Sequence, residues 1–332
     1  MDPLTQTIAL LRPRGLLWKQ AEARGDWAVR YPANKGAVFC LIASGSCVFQ
    51  LPGREPSKLQ EGDFLLLTAP PAWTLGSSAA VAPVDFVKAH TRGGVVRRTL
   101  GNRKTGPVVR LFGGHFGFDD ANAPLLAGLL PAIVEIRSSD ADAARLRGVL
   151  DLIGSEASSD RPGRGLVLDR LLEILLIEAV RSGAMPDAQK DRRGLLAGLA
   201  EPRISAALRA LHADIRQGWT VARLAEVAGM SRSVFAERFC RVVGLPPLDY
   251  LRRWRMAVAK DALVSGNRRL AEVAFACGYE SVSAFSTAFT RTVGCPPSRY
   301  ERFVHGRRGF PNPAPQPAPT SPPYRLALVK PQ

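Results

Sequence analysis

Few residues of this chain could make or break bonds. Its 332 residues include four histidines (His90, His115, His212 and His305) and five cysteines (Cys40, Cys47, Cys240, Cys277 and Cys295), with no Cys-x-x-Cys. Residues able to grip a polyanion are plentiful: 45 Lys and Arg against 29 Asp and Glu, a net charge of +16. Between Leu195 and Arg308 lie 17 arginines and the single lysine Lys260, against 9 acidic residues. The planar guanidinium matches phosphate oxygens and guanine edges in a two-pronged way. A basic surface kept for solubility would give the same excess, so charge alone does not choose a partner.

The pattern around those arginines is more selective. Phe235-x3-Phe239-x4-Gly244-x-Pro246-Pro247-x2-Tyr250 recurs as Phe285-x3-Phe289-x4-Gly294-x-Pro296-Pro297-x2-Tyr300, every position shifted by 50. Upstream, Val221, Leu224, Ala225 and Ala228 share one helix face. Leu270, Val273, Ala274 and Cys277 repeat it with a shift of 49. Each series ends at a glycine, Gly229 or Gly278, where a turn needs a positive φ. One residue slips in that turn. Small Ala225 and Ala274 let a second helix approach closely, and Ser231 and Ser281 stand where N-caps belong. The second helix buries its two phenylalanines at i and i+4. Its opposite face is small and polar, so it can enter a major groove. Between the units, Pro247 to Val264 reads as one long helix that fixes their spacing, so both could meet adjacent major grooves about 34 Å apart.

This region resembles the DNA-binding domain of the AraC family of bacterial transcription regulators. The resemblance rests on Trp219-Thr220-Val221, Gly229-Met230-Ser231-Arg232-Ser233, Tyr250-Leu251-x3-Arg255-Met256-x2-Ala259 and Gly278-Tyr279-Glu280-Ser281-x3-Phe285-x3-Phe289-x4-Gly294-x-Pro296-Pro297. It implies that the start of each second helix touches DNA. The base-facing candidates are then Ser233, Ala236 and Glu237 in the first unit and Ser283, Ala284 and Thr287 in the second. Arg232, Ser281, Ser286 and Arg291 are the phosphate candidates. Several of these side chains are small, so shape readout is expected to supplement direct contacts.

The elements ahead of this region read differently. Residues 25–118 hold short β-rich runs between turns: Trp27 to Tyr31, Val38 to Ile42, Cys47 to Leu51, Phe64 to Leu67, Trp73 to Leu75 and Val108 to Phe112. That spacing predicts a sandwich or small barrel. After Asp119 the period becomes helical. One helix is marked by Leu125, Leu126, Leu129 and Leu130. A second is marked by Leu146, Val149, Leu150 and Ile153, and a third by Leu168, Leu171, Leu172, Leu175, Leu176 and Ala179. The strand pattern with Glu61-Gly62-Asp63-Phe64 resembles the cupin-type sensor domain that precedes the DNA-binding domain in many AraC-family members. A catalytic cupin needs two or three His plus a Glu, and no His lies before residue 90. Neither metal nor cofactor is therefore expected. The barrel could still bind a small apolar effector, with Phe39, Leu41, Phe49, Phe64, Leu66 and Trp73 as candidate lining residues. Cys40 and Cys47 flank one turn, which leaves a redox-sensing pair open beside two inert buried thiols.

The expected fold class is α+β: a cupin-like β-barrel with a helical extension, then an all-α domain of two helix-turn-helix units. Residues 1–183 form the sensor and dimerisation domain, 184–194 a linker, 195–308 the DNA-binding domain, and 309–332 a proline-rich disordered tail. The expected function is sequence-specific transcription regulation, with activation the commoner mode in the resembled family. The expected signal is a small molecule or a redox change. The alternative is a metal-dependent cupin enzyme fused to a DNA-binding module. Expected partners are promoter double-stranded DNA, RNA polymerase, an unidentified effector and a second copy of the chain. The odd cysteine count, the lack of a secretory signal and the lack of a long apolar run point to a cytoplasmic protein with no membrane partner.

Overall fold

Strand β3, Ala37–Ser44, accounts for the layering of the N-terminal half. It is apolar on both faces, so both must be covered. Phe39 and Leu41 point one way and Cys40 and Ile42 the other, each into a different buried cluster. This computed structural model describes residues 2–86, 96–118, 122–123, 127–182, 193–266 and 269–308. His90, Leu125, Leu126, most of the expected linker and the tail 309–332 lie outside them.

The remaining strands are β1 (Arg14–Arg24), β2 (Ala28–Tyr31), β4 (Ser46–Gln50), β5 (Ser57–Gln60), β6 (Phe64–Thr68), β7 (Trp73–Gly76), β8 (Val84–Asp85), β9 (Val96–Leu100), β10 (Val108–Gly117) and β11 (Ile133–Ile136). They form two sheets, ordered β11-β6-β3-β10-β1-β9 and β5-β4-β7-β2-β8. Among the described residues this is a two-sheet sandwich, not a closed barrel. Helices α2 (Ala143–Ala157) and α3 (Arg164–Ser182) cover the outer face of the larger sheet. Their buried residues, Leu146, Leu150, Ile153, Leu168, Leu172, Leu175, Leu176 and Ala179, follow the expected helical spacing.

The first expected helix falls partly on residues outside the described ones, Leu125 and Leu126 among them, and Ala123 just before them is helical. The described part of the 125–130 segment is a single 3-10 turn, Ala127–Leu129, followed by β11 on the sheet edge beside β6. Pro131 bars Leu130 from helical backbone and ends the turn, so the leucine spacing serves a buried turn. Leu129 and Leu130 are both buried. Strand structure also begins earlier than residue 25, with β1.

Helix α1, Pro3–Leu11, has a local signature that periodicity did not reveal. Asp2 is its N-cap and accepts from the Thr5 amide at 3.0 Å, with proline at the first helical position. Its buried face, Leu4, Ile8 and Leu11, packs on the C-terminal helices as well as on α3. Those helices are α4 (Leu195–Ala200), α5 (Pro202–Ala213), α6 (Val221–Val227), α7 (Arg232–Val243), α8 (Pro247–Ser265), α9 (Leu270–Ala276), α10 (Val282–Val293) and α11 (Pro297–Arg308). One hydrophobic cluster runs unbroken from the larger sheet through α1 to Phe235, Phe239 and Trp254.

A polar relay crosses this seam. Gln6 Oε1 lies 2.9 Å from His212 Nδ1, and His212 Nε2 lies 2.6 Å from the Tyr250 hydroxyl. Arg12 also pairs with Asp261 of α8. The neutral imidazole protonated at Nδ1 satisfies all three groups, since it donates to Gln6 and accepts from Tyr250. Burial holds His212 down at about 3, with Asp2 pulling weakly the other way. The fold therefore binds fewer protons here than the unfolded chain between about pH 3 and 6.5, and stability is lost as pH falls through that window. The denaturation midpoint is expected to drop from pH 7 to pH 4.5 more steeply in the wild type than in His212→Gln, measured by urea melts across pH.

Candidate DNA interface

The two C-terminal units are built alike, element for element. Helices α6 and α9 each have 7 residues, and α7 and α10 each have 12. In the first turn the Gly229 amide donates to Glu226 O at 3.0 Å and the Met230 amide to Ala225 O at 2.9 Å. In the second, Gly278 donates to Phe275 O and Tyr279 to Ala274 O, both at 3.0 Å. Both glycines are left-handed, with φ of 62° and 75°. Phe235 and Phe239 are 5.6 Å apart between ring centres, as are Phe285 and Phe289. Each pair is closed by a tyrosine set edge-on, Tyr250 at 5.9 Å and Tyr300 at 5.6 Å.

Helix α8 joins the units by lying in both cores. Tyr250, Leu251, Trp254 and Ala257 are buried with the first unit, and Met256, Ala259 and Leu263 with the second. Arg255, on a third face, donates from Nε to Ile215 O at 2.8 Å and from Nη2 to Gln217 O at 3.0 Å. Its guanidinium also lies 5.7 Å from the ring centre of Tyr279. One side chain thus ties the loop that enters the first unit to the turn of the second. The sequence assigns Arg255 no role beyond its place in the family motif. The family motif around it was the available signal.

The candidate DNA contacts lie on α7, α10 and the start of α10. Ser233, Glu237, Arg232, Ser281, Ser283, Ala284, Thr287 and Arg291 are exposed, whereas Ala236 and Ser286 are half-buried on the flanks. The Ser281 hydroxyl accepts from the Ala284 amide at 3.1 Å, so it caps α10. Ser231 occupies the N-cap position of α7 without a side-chain capping bond. Exposed Val234 and Arg241 escaped the sequence reading, although the 50-residue shift pairs them with Ala284 and Arg291. Arg238 is exposed but engaged, with Nε at 2.8 Å from Glu201.

In the N-terminal half the six candidate lining residues are all buried but do not share one wall. Phe39, Leu41, Phe64 and Leu66 face the helices, while Phe49 and Trp73 lie between the sheets. The side-chain period of 2 along the strands separates them. The Trp73 indole N–H is buried without a hydrogen-bond partner among the described residues. Cys40 and Cys47 occupy the same inter-sheet core. Burial pushes both thiols up, Cys47 to about 12. Among the described residues no group of three His, Cys, Asp or Glu could hold a metal ion.

A pair of helix-turn-helix units on one shared helix, with outward arginines, defines a double-headed DNA-binding module attached to a cupin-like domain. Comparison with known proteins agrees with both parts. A cupin family model matches residues 2–184 and a helix-turn-helix domain model matches residues 224–302. A putative AraC-like transcription regulator of Streptomyces lividans is 38% identical over 91% of this chain and 98% of its own length. Its counterpart in Streptomyces antibioticus is 37% identical over 91% and 99%. The crystal structure of ToxT from Vibrio cholerae O395 is 14% identical over 88% of this chain and 98% of its own, with a TM-score of 0.34. The chain belongs to the family of AraC-like transcription regulators. The relatives are regulators, and the alternative of a cupin enzyme finds no support among them.

The two turns differ in one respect that can be measured. Alanine at Gly229 would meet no atom within 4 Å, so its cost is the left-handed backbone, about 1–2 kcal/mol. At Gly278 the added carbon would also land 2.8 Å from the Arg216 backbone. Gly278→Ala is expected to destabilise more than Gly229→Ala in denaturant melts, and equal losses would mean that the second turn does not press on the first unit.

Proposed function

We propose that this chain is a sequence-specific transcription regulator that reads two adjacent major grooves of a promoter, one with α7 and one with α10. The observation that carries this reading is the pair of like-built units fixed by a helix buried in both. Residues 195–308 would be the reading head and residues 1–183 the sensor, joined by the 184–194 linker. Ser233, Ala236 and Glu237, with Ser283, Ala284 and Thr287, would face bases. Arg232, Ser281, Ser286 and Arg291 would face phosphates, and Arg241 joins them by its repeat position. Activation through RNA polymerase is the favoured mode. The protein would act in the cytoplasm, and among the described residues no helix is long and apolar enough to cross a membrane.

The signal is taken to be a small molecule rather than an oxidant. Thiolates are the reactive form of cysteine, and the burial of Cys40 and Cys47 disfavours it. An effector entering the sandwich would meet Phe49 and Trp73, and an acceptor atom on it would satisfy the orphaned indole N–H. Phe39, Leu41, Phe64 and Leu66 would line the site only from the helix side of the larger sheet. A second copy is proposed to dock on α2 and α3, where Leu152 (58% exposed), Leu166 (64%), Val167 (43%) and Ile174 (44%) leave apolar surface open.

The reading is tested by selecting genomic fragments with the full chain and titrating the winner against scrambled duplex at fixed salt. Specific binding about 10³-fold or more tighter is expected, from two elements one helical turn apart. Inserting about 5 bp between them should abolish most of that advantage, because half a turn puts the second element on the far side of the duplex. No preference among fragments would instead mark a non-specific DNA-coating protein. Light scattering at micromolar concentration is expected to show a dimer, and Ile174→Arg to shift it toward monomer. A wild-type monomer with and without DNA would discard the proposed interface.

A further inference from the structure

The outward ridges of the two recognition helices differ in one charge. In α7 the buried residues are Phe235, Phe239 and Val243. At about 100° per residue, Glu237 and Arg241 lie on the opposite side of the helix, with Val234 beside them. The 50-residue shift gives Thr287, Arg291 and Ala284 on α10. The cation is kept, Val234 is matched by a methyl, and a carboxylate stands opposite a threonine. Glu237 is exposed, and its side chain has no hydrogen bond or ion pair among the described residues. Arg203, Arg238 and Arg241 line the same cleft, yet Arg238 is taken by Glu201 and neither of the others reaches the Glu237 carboxylate.

A free carboxylate on a helix that enters a groove walled by phosphates weakens binding unless a base repays it with an N–H donor. Cytosine offers N4–H in the major groove. Adenine offers N6–H, but beside the N7 acceptor, which repels a second carboxylate oxygen. Guanine and thymine present acceptors, apart from the thymine methyl. Glu237 therefore penalises most sequences and rewards one. Thr287 does the reverse. Its hydroxyl donates to Ser283 O at 3.0 Å, so that hydrogen is spent within the helix. Its methyl and that of Ala284 remain as an apolar surface suited to a thymine methyl.

Resting on the two-groove reading above, we infer that Glu237 is the base-discriminating residue of the first unit and selects a cytosine, whereas the second unit selects a thymine methyl through Ala284 and Thr287. The two elements of the site are then unlike in sequence although the two units are alike in fold.

The experiment is selection from duplexes randomised across both elements, by the full-length wild type, Glu237→Thr and Glu237→Gln, followed by affinity measurement on the winners. Circular dichroism melts check that the exposed substitutions leave the fold intact. The wild type is expected to require a cytosine at one position of one element. Glu237→Thr should lose about tenfold discrimination at that position, the scale of one good base contact, and should bind unrelated duplex more tightly. Glu237→Gln should move the preference there toward adenine. Unchanged base preferences in Glu237→Thr, with the wild type still selecting a two-element site, would overturn this inference alone. A wild type that selects no sequence would overturn it together with the regulator reading.

Discussion

Helix α8 divides its buried apolar side chains between two cores, and the reading head depends on that. Its residues enter two separate hydrophobic cores, so neither unit can rotate about the helix without uncovering one of them. Arg255 adds a polar lock on a third face, spanning the entry loop of the first unit and the turn of the second. Two reading helices held by flexible chain would each pay for ordering on binding. Held by a helix buried twice, they have paid that cost in folding. The close approach of Gly278 to the Arg216 backbone belongs to the same arrangement, because only a residue without a side chain fits there.

The N-terminal half is coupled to this rigid body through its first helix. Helix α1 precedes the sandwich in the chain but packs against α3 on one side and the C-terminal helices on the other. The seam it makes is mostly apolar, with the Gln6–His212–Tyr250 relay and the Arg12–Asp261 pair setting its register. A displacement of α3 or of the larger sheet would therefore reach α8 through contiguous packing. The sandwich is also asymmetric. The larger sheet is buried on both faces, and its helix side is continuous with the DNA-binding half, while its other side meets the smaller sheet alone.

Much of this was legible in the chain because it rests on short-range rules. The 50-residue repeat, the two glycine turns and the paired phenylalanines fixed both helix-turn-helix units and the long helix between them, since each is decided by residues within two helical turns. The β-rich runs at Val38 to Ile42 and Cys47 to Leu51, with the leucine spacing of α2 and α3, likewise became the elements expected. What the chain could not disclose lies wherever the partner is far away in sequence. After Leu130 and Pro131 the chain became an edge strand, Ile133–Ile136, because β6 was there to pair with it. The candidate lining residues fell on two sides of a sheet, because only the stacking of the sheets says which face is inside. Arg255 gained its role only when the loop at Ile215 and Gln217 folded over it. Sequence determined the units, whose stabilising contacts are local; tertiary structure alone decided how they are joined, because those contacts close only when segments some 40 to 250 residues apart meet.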